Sequence, residues 1–196
     1  MRKTRLLILL SLCSIPITFL QAQTTPISGV INTYHKVEDL IPLRSCVVVD
    51  DATGLAPGSR VMLVQMKGAS VETNNNSTFG DITSMNTAGN YELGTVCMVS
   101  GDTVFLLNKI VQEYTLTGKV QLVGIPVYEN ALVEDSLKAK PWNNSEGKGG
   151  VLALSVTYSL FLNAPVSATG TGFIGGPPVL CRGTCSNWAT PSGPAY

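Results

Sequence analysis

The residues whose types could do chemistry are few, and their spacing assembles no reaction. The chain holds one histidine. His35 lies among Tyr34, Lys36 and Glu38, with no Gly-x-Ser-x-Gly elbow anywhere to supply a nucleophile for it to deprotonate. The acid pairs Asp50-Asp51 and Glu134-Asp135 are sequence neighbours. Adjacent residues on a strand point to opposite faces, so each pair flanks a turn instead of holding two carboxyls at the separation that glycoside cleavage needs. Asp50, Asp51 and Asp81 are the oxygens to test for calcium. Gly170-x-Gly172-x-x-Gly175 matches the dinucleotide glycine pattern in letters. Pro177-Pro178 follows it, and a helix whose free N–H groups would hold a pyrophosphate cannot start there. The glycines are expected to mark a tight crossing that only glycine fits. No catalytic residue, cofactor site or metal site is therefore assigned, and the chain is expected not to be an enzyme.

Cysteines are the remaining chemical groups. Cys13 belongs to an apolar leader, and Cys46, Cys97, Cys181 and Cys185 remain after it. Four cysteines in an exported protein allow three pairings. Cys181 and Cys185 enclose three residues in a Gly-rich loop, which suits a local disulfide. Zinc would want a second ligand pair that the lone histidine does not provide. A Cys46–Cys97 bridge is a weaker candidate, because both lie in strand-like valine runs where a thiol also serves as a small buried apolar group.

The elements that must position these groups read from the N-terminus. Arg2, Lys3 and Arg5 precede the block LLILLSLCSIPITFL and then Gln21-Ala22-Gln23. This is a secretory signal peptide over 1–23, too short and too interrupted by Pro16 for a spanning helix. The expected location is extracellular or on the outer cell surface, with no transmembrane segment after cleavage. Charged residues make up 13 % and balance to zero net charge. The basic residues are scattered singly, which excludes a phosphate-backbone partner.

From residue 30 onward, short Val-, Leu- and Thr-rich runs alternate with Gly, Pro, Asn and Asp, the pattern of an all-β chain. Strands are predicted near 45–50, 60–66, 91–99, 103–108, 119–124, 126–133, 151–156 and 159–163. One short helical turn is predicted at 37–40, where Glu38 and Asp39 would face the helix dipole. Pro57-Gly58 predicts a type II turn leading into 60–66, with Leu55 plugging the open end of a barrel or sandwich. Strand 60–66 is apolar on nearly both faces and so central. Ser100-Gly101-Asp102 predicts a hairpin. Asn75, Asn76 and Asn143 open Asn-x-Ser/Thr triplets that read as turn residues. After Trp142 and a Gly-rich loop come three brief rungs, VLALSV, SLFLN and VSATG. They predict the start of a right-handed parallel β-helix, with a sandwich edge as the alternative. The domains are thus 1–23 leader, 24–140 sandwich or barrel, and 141–196 Gly-rich coil.

The order of motifs adds a likeness. RVMLVQMKGA (60–69), Thr78-Phe79-Gly80, Ala88 to Glu92, VQLVGIPVYENALV (120–133), Pro141-Trp142, GGVLAL (149–154) and the glycines of 170–176 together resemble the N-terminal region of large secreted Bacteroidetes surface proteins. Many of those end in a gliding-motility-associated sorting domain. The resemblance covers about 28–176 and implies an adhesin-like, β-rich cargo of type IX secretion; it does not imply an enzyme, and no catalytic residue carries across from it. It also implies that these residues are the front of a longer protein. Ser59 stands where that family commonly has Asp. Asp102-Thr103-Val104 and Asp135-Ser136-Leu137 match the Asp-Ser/Thr-apolar pattern of Bacteroidetes O-glycosylation, which makes Thr103 and Ser136 candidate acceptors. Surface polysaccharide or other cell-surface proteins are the expected partners. A carbohydrate-binding module, or a fragment of a polysaccharide-acting β-helix enzyme, is the alternative, with Tyr91, Tyr128, Trp142 and Trp188 available to stack on sugar rings.

Overall fold

The structure, a computed structural model, describes residues 24–173. The predicted leader (1–23), Cys181, Cys185 and Trp188 lie outside the described residues. The chain is all-β, and it combines a closed barrel with the first rungs of a parallel β-helix.

The barrel has six antiparallel strands: β2 (Thr33–Ile41), β3 (Cys46–Val49), β8 (Thr103–Leu106), β7 (Tyr91–Ser100), β4 (Arg60–Gln65) and β9 (Val120–Ile125), which returns to β2. Two long strands turn the corners. β2 pairs β9 through residues 33–36 and β3 through 37–41, while β7 pairs β4 through 91–95 and β8 through 96–100. The register slips at each change of partner, between Val37 and Asp39 and between Val96 and Met98. A bulge there bends the strand and lets the sheet close. Inward residues follow period 2: Val61 and Leu63 from β4, Leu122 from β9, and Val37, Val47 and Val104 from their strands form the core. Full burial of a leucine such as Leu63 or Leu122 is worth about 2–3 kcal/mol.

The parallel sheet has the order β1 (Thr25–Gly29), β10 (Val127–Lys138), β11 (Ser155–Leu162), with β12 (Val166–Ser167) also on β10. Thr25 pairs with Ala131 and Val127 with Ser155, so the entire barrel is inserted between the first rung and the second. The coil therefore begins at residue 25, not at 141. Ile27, Ala131, Val133 and Leu137 form its core, with Leu152 and Leu154 packed on them.

Several expected turns hold. Gly58 has φ of 90° and Ser59 N–H donates to Ala56 O at 2.9 Å, closing the Pro57-Gly58 turn. Leu55 packs on the barrel core. Gly101, at φ 58°, occupies the first central position of the two-residue β7–β8 hairpin, where a II′ loop wants glycine. Asn76 and Asn143 cap their own turns through Thr78 N–H and Ser145 N–H. β4 is covered on both faces, as its apolar residues require: Val61 and Leu63 enter the barrel core, and Val64 packs with Tyr34 and Val123 on the outer wall.

Other expectations are corrected. Residues 37–40 are strand, because Val37 enters the barrel core while Glu38 and Asp39 stay in solvent; a 3-10 turn follows only at Pro42–Arg44. Residues 151–154 form no strand although they read as one, since polar side chains of the barrel take their backbone groups in place of a ladder. The single strand β11 then replaces the two short rungs predicted at 151–156 and 159–163. At Gly170 and Gly172 an added Cβ would meet nothing within 4 Å, so no crowded crossing exists there; Gly170 is required for its φ of 72°.

Candidate binding groove

The barrel and the coil are joined by polar side chains on the barrel's outer wall. Asn32 Nδ2 donates to Gly124 O at 2.9 Å and Ala153 O at 2.6 Å, and its Oδ1 accepts from Ala153 N–H at 3.0 Å. Gln121 does the same to Gly149, donating to its carbonyl and accepting from its N–H, both at 2.9 Å. Each amide thus acts as a strand would, offering one donor and one acceptor to a passing backbone. The Tyr34 hydroxyl donates to Val151 O and accepts from Lys140 N–H at 3.2 Å. Beneath these bonds Tyr34, Val64 and Val123 are buried against Met62, Met66 and Val151.

Where this seam opens, it leaves a groove. Two concavities, of about 460 and 360 Å³, meet at Arg60 and Ile125. The larger mixes small and polar residues, Thr33, Gly58 and Ser59, with aliphatic ones, Ile31, Leu55 and Val127; the smaller is apolar, with Met62, Leu93, Leu152 and Leu154. Arg60 opens β4 and points outward, since Val61 enters the core. Its Nη1 donates to Ser155 Oγ at 3.3 Å, and it has no carboxylate partner among the described residues. Gly124 lets the strands approach at the floor, as a Cβ there would strike Thr33 Oγ1. Beside β4, the outward row of β7 runs Thr95, Leu93, Tyr91, with Thr95 opposite Arg60. Tyr91 is 61 % exposed and Leu93 59 %.

The residues singled out in the sequence lie elsewhere for the most part. His35 is buried, with Nδ1 at the Asp51 carbonyl and Nε2 3.1 Å from Thr33 Oγ1, so both ring nitrogens serve the barrel wall. Asp50 is occupied: Oδ2 pairs with Lys148 Nζ at 2.6 Å and Oδ1 accepts from Lys36 N–H. Asp51 Oδ1 caps Thr53 N–H at 2.8 Å, and Asp81 sits far along the chain beside a separate hairpin, β5 (Ser70–Val71) with β6 (Ile82–Ser84). The calcium expectation is corrected accordingly; no metal-holding acid cluster forms among the described residues. Thr103 starts β8 and Ser136 lies in β10, both half-buried.

Cys46 and Cys97 are both free, which corrects the weaker disulfide. Cys46 is buried and Cys97 exposed, and β8 runs between their strands. Two strand spacings amount to about 9–10 Å, more than a disulfide spans. Trp142 is 4 % exposed and meets Phe173 edge-on at 4.8 Å, so it is packing and not a sugar platform; Tyr128 is half-buried, and only Tyr91 of the described aromatic candidates stands open.

Three phenols are held above their ordinary value of 10.0: Tyr34, Tyr114 and Tyr128, each through burial first. At Tyr114 the neighbouring Glu92 charge adds to it; the hydroxyl lies against that carboxyl short of a well-formed hydrogen bond. Below pH about 10 the folded and unfolded chains hold these protons equally. Above it the unfolded chain releases protons that the folded chain keeps, so stability falls as pH rises. Urea midpoints should drop between pH 8 and pH 11 while phenolate absorbance of the native chain lags that of the denatured one. An unchanged midpoint would contradict the assignment.

No protein-family model matches this chain, and no curated protein matches it. Among solved structures it is similar to the tailspike Gp54 of Acinetobacter baumannii bacteriophage AP22, in complex with A. baumannii capsular saccharide, at 11% identity and a TM-score of 0.36 over 70% of this chain. The tailspike gp61 of Pseudomonas phage phi297 overlaps 71% of it at 14% identity and a TM-score of 0.36. The tailspike gp49 of Pseudomonas phage LKA1 overlaps 72% at 11% identity and 0.29. The chain spans 22%, 20% and 23% of those three proteins. Among the described residues no helix is long and apolar enough to cross a membrane.

Proposed function

We propose that this chain is a non-enzymatic module of an exported Bacteroidetes surface protein, of the type IX cargo kind, which holds surface saccharide in an adhesin-like or matrix role. The observation that carries the reading is the groove at the seam. A barrel inserted between two rungs of a coil presents, at the junction, an apolar trough and an unpaired arginine, and the outward row of β7 that borders the trough continues to an exposed tyrosine. Such an arrangement suits holding a ligand with both apolar and polar faces. Of the acids that a hydrolytic reading would draw on, Asp50 is held in its ion pair with Lys148 and Asp51 in its Thr53 cap; Glu134 and Asp135, expected to flank a turn, are instead exposed neighbours within β10, where they point to opposite sides of the strand.

Titration of the mature chain, residues 24–196, against a panel of plant, algal and host glycans is the test. Binding to a subset is expected, with the bound glycans recovered at unchanged length. Flat curves across the panel would overturn the saccharide reading. Shortened glycans would replace it with the enzyme alternative.

A further inference from the structure

We infer that the groove is specific for acidic saccharide, with Arg60 receiving a uronate carboxylate and Tyr91 stacking on a ring further along the same chain. The inference rests on the saccharide reading above and names the ligand class of that site. Arg60 is the decisive residue. It opens a strand otherwise committed to apolar packing on both faces, it is exposed, and among the described residues it has no carboxylate to neutralise it. Its one side-chain partner, Ser155 Oγ at 3.3 Å, steadies one nitrogen and leaves the rest of the guanidinium fork for a ligand. A planar fork of N–H donors matches the two oxygens of a carboxylate, and pairs of that kind are strong and directional.

The spacing sets the ligand's length. Thr95 is opposite Arg60 and Tyr91 is four residues along β7 on the same outer face, which places the two backbone positions about 13 Å apart along the strand. An open aromatic face suits the C–H face of a sugar ring, as aromatic rings carry both an apolar body and a polar edge. Leu93 and Met62 pave the interval with apolar surface. A single sugar cannot touch both ends, so the site takes an oligosaccharide. The concavity beyond Arg60, floored by Gly54, Gly58 and Ser59, leaves room for the chain to continue.

The mature chain, its Arg60→Ala, Arg60→Lys and Tyr91→Ala variants are titrated with oligogalacturonate and with the carboxyl-reduced, neutral form of the same oligomer. The wild type should prefer the acidic oligomer. Arg60→Ala should weaken that binding about tenfold, equivalent to about 1.4 kcal/mol, and weaken the neutral form by a clearly smaller factor, so that the preference for the acidic oligomer is lost. Arg60→Lys should restore part of the loss and all of the sensitivity to salt. Tyr91→Ala should weaken both oligomers. Equal binding of the two oligomers, or indifference of the acidic one to Arg60→Ala, would overturn the inference and leave the saccharide reading standing. Binding of neither oligomer, with neutral glycans bound elsewhere in the panel, overturns it likewise, whereas a flat panel removes both. Arg60 is exposed, so its variants should fold; matching wild-type urea midpoints verify this.

Discussion

Replacing Gln65 with alanine should cost about 4 kcal/mol of stability, a large share of the roughly 5–15 kcal/mol that holds a domain folded. Gln65 ends β4 with its amide 1 % exposed at one end of the barrel. Nε2 donates to Lys67 O at 2.7 Å and to Thr87 Oγ1 at 2.8 Å, while Oε1 accepts from Thr115 N–H at 2.7 Å. One side chain thus ties together the chain leaving β4, the loop before β7 and the loop before β9. Truncation leaves buried partners unsatisfied at about 1–3 kcal/mol each and opens a cavity besides. Gln65→Glu should be no milder, because a carboxylate has no proton to give to Lys67 O. Gly118 closes the same end and has no room for a side chain: a Cβ would lie 2.5 Å from Lys67 O. Urea denaturation of Gln65→Ala checks the figure, and a loss under about 1 kcal/mol would refute the role assigned to the amide.

The second large effect is expected at the seam. Asn32→Ala combined with Gln121→Ala should uncouple the coil from the barrel, so that one cooperative transition becomes two. Both amides hold the backbone of 149–153, which has no sheet ladder of its own. Loss of either should cost about 2 kcal/mol. The two act on one short segment, so their effects should be non-additive. Hydrogen exchange resolves the outcome: amides of β10 and β11 should open well before those of β4 and β9 in the double variant. Simultaneous opening of both sets would show that the packing of Tyr34, Val64 and Val123 joins the two parts without the amides.

How much of this was legible in the residues depended on whether their partners were near or far. β4, β7, β8 and β9 declare themselves, because alternation between Val61, Leu63 and their polar or covered neighbours is a local signal. β2 hides because its two halves serve different partners: Tyr34 lies under the coil, whereas Lys36 and Glu38 pair with each other at the surface and Asp39 meets water, so no single period runs through it. β1 is five residues with a proline, and its partner Ala131 lies beyond the whole barrel. Nothing local marks it. VLAL at 151–154 misleads in the other direction, since its apolar content is real while its hydrogen bonds go to Asn32 and Tyr34. The groove was half visible. Tyr91 was an evident stacking candidate; Arg60 had a signal too, a lone cation opening a strand apolar on both faces, but its lack of a counter-charge required the fold.

The insertion of the barrel into the coil also dictates an order of events. A chain delivered from its N-terminus presents β1 long before β10, and every residue of the barrel comes between them. β1 has no sheet to join during that interval. The barrel, by contrast, owns all six of its strands by Ile125 and can close at once. Closure brings the chain entering at Thr33 beside the chain leaving at Gly124, which are paired in the ladder. The finished barrel therefore acts as a clamp: it turns a loop of about a hundred residues into a short gap, and most of the entropy of closing that loop is lost before the coil begins to form. β1 then meets β10 as a neighbour.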